Sequence, residues 1–216
     1  MKRLIIYDLD GILADTSQEL VHANAYVLSQ LGAPPAQLEA VHTFAGGGMR
    51  DLVAWGLRSD DPQLVEEAEA LFTTYYAHHP YEHSRLYPGA RRLLDYFTGR
   101  TQAILTDRPN PFAQDLVKAL GILGYFSDIV AGNSPYPRKP HPAGALALIT
   151  KAGVKQEEAL LIGDRPIDIE TGRHAGVFTI AVSHGRATAS ELRASGPDVF
   201  ADDLFHLLEL ARQYQW

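Results

Sequence analysis

The sequence predicts an α/β fold: a parallel sheet with helices on both faces, carrying an inserted all-helical segment. Three observations predict it. Short, continuous apolar runs recur along the chain, and helix-period stretches separate them. One long stretch, residues 16–83, breaks that alternation with helical pattern and no good strand.

The elements follow in order. Leu4-Ile5-Ile6-Tyr7 is a β-branched run bounded by Lys2-Arg3 and Asp8, which reads as a strand buried on both faces. Similar runs lie at 102–105, 160–162 and 178–182, with weaker strand candidates at 128–131 and 198–200. Helical periodicity covers 17–31 and stops before Gly32. Within the insertion, 64–76 is the clearest helix, with Glu66, Glu67 and Glu69 on one side. Residues 88–97 begin with Pro88, which suits a first helical turn. Residues 111–120 follow Asn110, a candidate cap. Three more helices are expected: 142–152 ending at Gly153, 167–175 ending at Gly176, and 203–214. The expected domains are a core of residues 1–15 and 84–216 and a helical insertion of 16–83. The flanks 14–15 and 82–88 would be hinges.

Bulk properties narrow the function classes. The 216 residues suit one domain, or a core with a smaller insertion. The formal net charge is -7 and no basic run appears, which argues against a nucleic-acid partner. An acidic protein that handles phosphate must supply its positive charge locally, from a metal, Lys or Arg. No cysteine is present, so thiol chemistry, thiolate metal sites and disulfides are all excluded. No apolar run approaches the roughly 20 residues of a membrane span. The apolar N-terminal stretch is too short for a signal peptide, so a cytoplasmic protein is expected.

Four stretches carry chemistry. Asp8-Leu9-Asp10-Gly11 closes the first strand. Residues two apart on an extended segment point the same way, so both carboxylates share the crevice where parallel sheets bind ligands. Like charges this close need a cation between them or a shared proton, which divides them into a nucleophile and an acid/base. A solvated Asp-rich turn would look the same. Thr106-Asp107 follows the second strand run; a Thr hydroxyl and a neighbouring N–H can hold a phosphoryl oxygen, though Thr-Asp-Arg-Pro-Asn also suits a helix start. Lys139, between Arg138 and Pro140, can aim an ammonium at the crevice, or lie on a Pro-rich surface loop. Gly163-Asp164 closes another strand, with Asp168 one turn into the next helix. Hard oxygen ligands from separate strand ends suit Mg²⁺, and an N-terminal cap cluster is the plainer alternative. Each signal is modest alone. Their order, each at a strand end or helix start, is what gives them weight.

With those motifs, the sequence resembles the haloacid dehalogenase-like hydrolase superfamily, and within it the phosphoglycolate-phosphatase-like group. Tyr87-Pro88-Gly89-Ala90 and Lys139-Pro140-His141-Pro142 add to the likeness, which runs over essentially the whole chain. The resemblance implies a Rossmann-like core with an inserted helical cap. It also implies a Mg²⁺-dependent phosphatase acting on a small phosphorylated metabolite through an aspartyl-phosphate. Asp8 would be the nucleophile and Asp10 the acid/base. Thr106 and Lys139 would hold the phosphoryl oxygens. The metal would sit on Asp8, the Asp10 carbonyl and Asp164, with Asp168 acting on the metal's water. Gly47 and Arg50, from Gly46-Gly47-Gly48-Met49-Arg50, would read the substrate, and a surface loop is as good a reading of that stretch. Asp107, counted with Gly47 and Arg50 among the expected substrate-binding residues, stands where Asn is common and needs a partner such as Arg108 if it faces phosphate. Ile12 replaces the usual Thr or Val.

Relatives separate by residue. No Lys lies between Lys2 and Lys118, which speaks against phosphonate cleavage, and Asp10 speaks against a dehalogenase. Leu20 stands where mutases of this type carry His, which favours a phosphatase over the first alternative, a β-phosphoglucomutase-like enzyme; a pyrophosphatase is the other alternative. A phosphorylation-switched receiver and a silent binding protein rank below these. A monomer or homodimer is expected.

Overall fold

The run Leu4–Tyr7 becomes β1, and its four side chains are fully buried. The computed structural model describes residues 1–34, 49–79 and 81–216. After the short β2 (Ala14–Asp15), the described residues form three helices: α1 (Ser17–Gln30), α2 (Met49–Leu57) and α3 (Pro62–His78). From β3 (Arg85–Leu86) onward, helix and strand alternate. The series is α4 (Ala90–Tyr96), β4 (Thr101–Leu105), α5 (Phe112–Ala119), β5 (Asp128–Val130), α6 (Ala143–Ala152) and β6 (Ala159–Gly163). It continues with α7 (Pro166–His174), β7 (Phe178–Val182), α8 (Ala189–Ala194), β8 (Val199–Ala201) and α9 (Leu204–Gln213).

Six strands form one sheet in the order β5-β4-β1-β6-β7-β8, and every neighbouring pair is parallel. The order runs outward in both directions from β1, so the topological switch lies at its carboxyl end, where open α/β sheets bind ligands. Register reinforces this. Tyr7 pairs with Ile104 on one side and Ile162 on the other, so the three central strands end nearly level.

Alternation along β1 sorts its side chains between two faces. Leu4 and Ile6 join Leu105, Val130 and Leu161 in a cluster closed by Ala145, Leu148 and Ile149 of α6. On the other face, Tyr7 Oη donates to Gln102 Oε1 (2.8 Å), and Gln102 Nε2 donates to the Leu94 carbonyl on α4 (3.1 Å). That chain satisfies buried polar groups that would otherwise be costly.

Contacts divide the chain into two compact units. Unit 1 is Met1–Asp15 with Leu86–Trp216; unit 2 is Thr16–Arg85. Unit 2 is held by Val21, Val27 and Leu28 of α1, Leu52 and Val53 of α2, and Val65, Phe72 and Tyr76 of α3. Asp61 caps α3 by accepting from the Gln63 N–H (3.0 Å), with Pro62 at the first helical position.

Some local expectations change. The helix expected from Pro88 starts at Ala90, because Gly89 adopts φ 90° and sets the turn before it. Asn110 does not cap α5. It exchanges hydrogen bonds with Asn133 instead, donating through its N–H (2.8 Å) and accepting at its carbonyl (2.9 Å). The six-residue α8 was not expected, though Thr188 and Glu191 form a reciprocal capping box there. No helix among the described residues is long and apolar enough to cross a membrane.

Candidate active site

Asp8 is the first residue past β1. Its N–H still bonds to the Ile162 carbonyl (2.9 Å), so the sheet fixes its backbone. Its Oδ1 accepts from the Leu9 N–H (2.8 Å) and lies 3.2 Å from Lys139 Nζ. The chain then turns through Gly11 at φ 94°, where a Cβ would lie 2.1 Å from Asp164 Oδ2. Gly11 is therefore needed twice, for its backbone and for the carboxylate beside it.

Asp164 and Asp168 come from the end of β6 and the first turn of α7, and both are fully buried. Asp164 Oδ2 accepts from the Arg186 N–H (2.7 Å). Gly185 permits that approach, since a Cβ there would meet Asp164 Oδ2 at 2.3 Å. Asp168 is occupied on both oxygens: Oδ1 by Lys139 Nζ (2.5 Å) and Oδ2 by the Arg165 N–H (3.0 Å). Its role in this geometry is to hold Lys139 and close the α7 N-terminus.

Thr106 extends β4 by one bond, from its N–H to the Val130 carbonyl (3.0 Å). Its Oγ1 accepts from the Arg108 N–H (3.1 Å), which leaves the hydroxyl hydrogen able to donate elsewhere. Asp107 does not pair with Arg108. Its Oδ2 takes Arg165 Nη2 (3.0 Å) and lies 3.9 Å from Lys139. Arg108 turns instead to Asp10, with Nη2–Oδ1 at 2.6 Å and Nε 3.1 and 3.2 Å from Oδ2 and Oδ1. The carboxylate at position 107 is thus neutralised by the guanidinium at position 165.

Burial sets the electrostatics. It pushes the Asp8 carboxyl up to about 7, with Lys139 opposing and Asp168 adding to the rise. It pushes Asp164 up to about 6, again with Asp168 adding. Asp168 is also penalised by burial, but Lys139 and Arg165 outweigh this and hold it below the usual carboxylate range. Burial lowers Lys139, yet Asp168, Asp8 and Asp107 together raise it above its ordinary value, so it is charged.

Among the described residues, Asp8, Asp164 and Asp168 each offer a carboxylate oxygen within 4.8 Å of the others. Asp8 Oδ2 and Asp164 Oδ1 are buried and accept no hydrogen bond. Two such oxygens from separate strand ends, beside an acidic partner, are the hard donor set a divalent cation takes. The residues fit that cation. The Asp10 carboxylate, by contrast, is engaged by Arg108.

The haloacid dehalogenase-like hydrolase profile matches residues 5–182, most of the chain. This chain belongs to the haloacid dehalogenase-like hydrolases. A phosphoglycolate phosphatase of Pseudomonas putida is 34% identical, covering 96% of this chain and 79% of its own. One from Yersinia pseudotuberculosis is also 34% identical, over 91% of this chain and 87% of its own. Among solved structures, a predicted phosphoglycolate phosphatase from Haemophilus somnus superposes with a TM-score of 0.89 at 27% identity, covering 97% of this chain and 98% of that one. A haloacid dehalogenase-like family protein from Streptococcus pneumoniae gives 0.86 at 26% identity, covering 97% and 98%. This member of the hydrolases is a phosphatase, with an α/β, Rossmann-like core.

Of the residues singled out from the sequence of this hydrolase, Asp8, Asp10, Thr106, Asp107, Lys139, Asp164 and Asp168 all lie in unit 1, at the carboxyl ends of β1, β4 and β6 or on the segments that follow β5 and β6. Arg50 lies in unit 2, in the first turn of α2, half exposed and paired with Glu69 of α3 (2.6 Å). Gly47 lies outside the described residues. Ile12 is fully buried, so its departure from the motif is a packing change.

Sequence reasoning passed over Arg108 as a partner of Asp10, and over Arg165, Arg186 and His184 altogether. His184 stacks on Tyr87 (4.2 Å) and its Nε2 donates to the Ile12 carbonyl (3.3 Å), bracing the turn after Asp10. Burial keeps that imidazole below its ordinary range. The position of Arg165 directly after Asp164 was the available signal.

Proposed function

We propose that this phosphatase hydrolyses a small phosphorylated metabolite, phosphoglycolate-like or a sugar phosphate, through an aspartyl-phosphate on Asp8. The observation that carries this reading is the Asp8 carboxylate: buried, fixed by the Leu9 N–H and Lys139, and left with one oxygen that accepts no hydrogen bond. The names of the curated relatives support the substrate class.

In the first half-reaction, a carboxylate oxygen of Asp8 forms a bond to phosphorus as the ester P–O bond breaks. Asp10 gives its proton to the leaving oxygen. In the second half, Asp10 takes a proton from water as the water oxygen bonds to phosphorus, and Asp8 is released. Splitting the hydrolysis this way makes each displacement easier. Lys139 and the Thr106 hydroxyl stabilise the equatorial oxygens, where most of the protein's leverage over phosphoryl transfer lies. Asp168 keeps Lys139 in place.

Mg²⁺, held by Asp8, the Asp10 carbonyl and Asp164, would offset the crowded carboxylate charge and polarise the phosphoryl group. Asp107 takes part by fixing Arg165 rather than by meeting phosphate. Unit 2, with Arg50 and Gly47, serves as a cap that reads the substrate. A chain without cysteine suits the cytoplasm.

Asp8→Asn tests this. It keeps the shape of the side chain and removes the nucleophile. Hydrolysis of p-nitrophenyl phosphate with MgCl₂ should fall by roughly 10³-fold or more, as expected when a covalent nucleophile is lost, with circular dichroism unchanged. Activity within about tenfold of the parent would exclude Asp8 as nucleophile.

A further inference from the structure

We propose that Arg108 is a specificity residue: its guanidinium takes a carboxylate on the leaving group of the substrate, in exchange for the Asp10 carboxylate that it grips in the structure. The inference rests on the reading of Asp8 and Asp10 given above.

The grip is carboxylate-shaped. Nη2 reaches Asp10 Oδ1 at 2.6 Å, and Nε lies 3.1 and 3.2 Å from the two oxygens. A planar guanidinium fork matches a planar carboxylate better than it matches an alcohol or an amide. Arg186 Nη2 also lies 3.9 Å from Asp10 Oδ1, so two guanidinium groups converge on this carboxylate. The Arg108 and Asp10 side chains are both nearly buried, with 7% and 11% exposed, so the pair is poorly screened by solvent.

The fork is also built in. The Arg108 N–H bonds to Thr106 Oγ1 (3.1 Å), and its carbonyl accepts from the Gly132 N–H (3.0 Å). Gly132 presses so closely on this turn that a Cβ would meet the Asp107 carbonyl oxygen at 2.0 Å. The backbone that carries the guanidinium is therefore clamped from β5 as well as β4.

The same turn supplies the phosphoryl-holding hydroxyl and the fork. Two residues of extended chain span no more than about 7 Å. The guanidinium itself lies against Asp10, the group that serves the leaving oxygen, so a substrate that meets both Thr106 and Arg108 carries its carboxylate close to phosphorus, as a short phosphorylated hydroxy acid does. When that carboxylate enters the fork, the Asp10 side chain turns to the leaving oxygen. Recognition of the tail and assembly of the site become one event.

Phosphoglycolate and ethyl phosphate form the test, since they share length and differ in the carboxylate. With MgCl₂, the parent enzyme should have the higher kcat/KM for phosphoglycolate. Arg108→Gln should reduce its preference over ethyl phosphate by roughly 10- to 150-fold, the range of a charge-assisted hydrogen bond, and mainly through KM. Arg108→Lys should recover part of that preference, and thermal melts report that each variant is folded. Equal losses on both esters would overturn the inference, leaving Arg108 as a support for Asp10. So would a parent enzyme that cleaves ethyl phosphate without preferring phosphoglycolate, an outcome that needs no variant to fold. A parent enzyme that cleaves p-nitrophenyl phosphate but neither ester would also overturn the inference, whereas one that cleaves none of the three would refute the underlying reading of Asp8.

Discussion

Burial raises Asp8 to about 7 and Asp164 to about 6 from a common 3.8, so both carboxyls are poised to lose charge unless a cation joins them. An acid whose folded pKa is raised contributes stability below its unfolded value and loses it as pH rises through the folded one. The chelated protein should therefore weaken between about pH 4 and 7 on account of these two groups. Asp168, held below its ordinary value, acts oppositely and only below that range. Asp164→Asn in excess EDTA should raise stability at pH 8 by roughly 1–3 kcal/mol, with a much smaller gain at pH 4.5. MgCl₂ should stabilise the parent more than the variant. A variant that melts below the parent at pH 8 without metal would show that the Asp164 charge is not strained. The acids and Lys139 were legible in the sequence because each follows a recognisable strand or opens a helix. Their partners were not. Arg108 meets Asp10 across 98 residues and Arg165 meets Asp107 across 58, and no local pattern reports how far a guanidinium reaches.

Strand runs reveal themselves because burial on both faces demands unbroken apolar sequence. The expected strands at 4–7, 102–105, 160–162 and 178–182 differ from the observed bounds by at most one residue. Helix starts are less legible. Pro88 and Asn110 are both good opening signals, and backbone geometry at Gly89 and the tie to Asn133 overrode them. The missed α8 has one buried apolar residue, Leu192, too few to give a helical stripe. Its capping box was the usable signal. Thr188 Oγ1 accepts from the Glu191 N–H (3.3 Å), and Glu191 Oε2 accepts from the Thr188 N–H (2.8 Å). Thr188→Ala should cost about 1 kcal/mol and lower Tm by roughly 2–4 °C, read by calorimetry. An unchanged Tm would mean that packing of Leu192 and Phe200 around Ala187 holds this segment without its cap.

At the scale of the molecule, strand order does the organising. With β1 at the centre of β5-β4-β1-β6-β7-β8, the motifs at residues 8, 106 and 164 emerge from three adjacent strands, although the chain separates them by up to 156 positions. The net charge of -7 makes local cation supply the limiting requirement, and Arg108, Lys139, Arg165 and Arg186 are gathered there to provide it. What the sequence left open is which cation meets which acid, and the structure answers with two guanidinium–carboxylate pairs that local patterning could not foresee. The central claim is that phosphorus is transferred to Asp8. It is tested most directly by quenching the enzyme during steady turnover of p-nitrophenyl phosphate, reducing with borohydride, and sequencing peptides by mass spectrometry. Reduction converts an acyl-phosphate carboxyl to an alcohol and leaves ordinary carboxylates alone. The account predicts the alcohol at position 8 and its disappearance when MgCl₂ is withheld. The alcohol at position 10 or 164, with none at position 8, would contradict it.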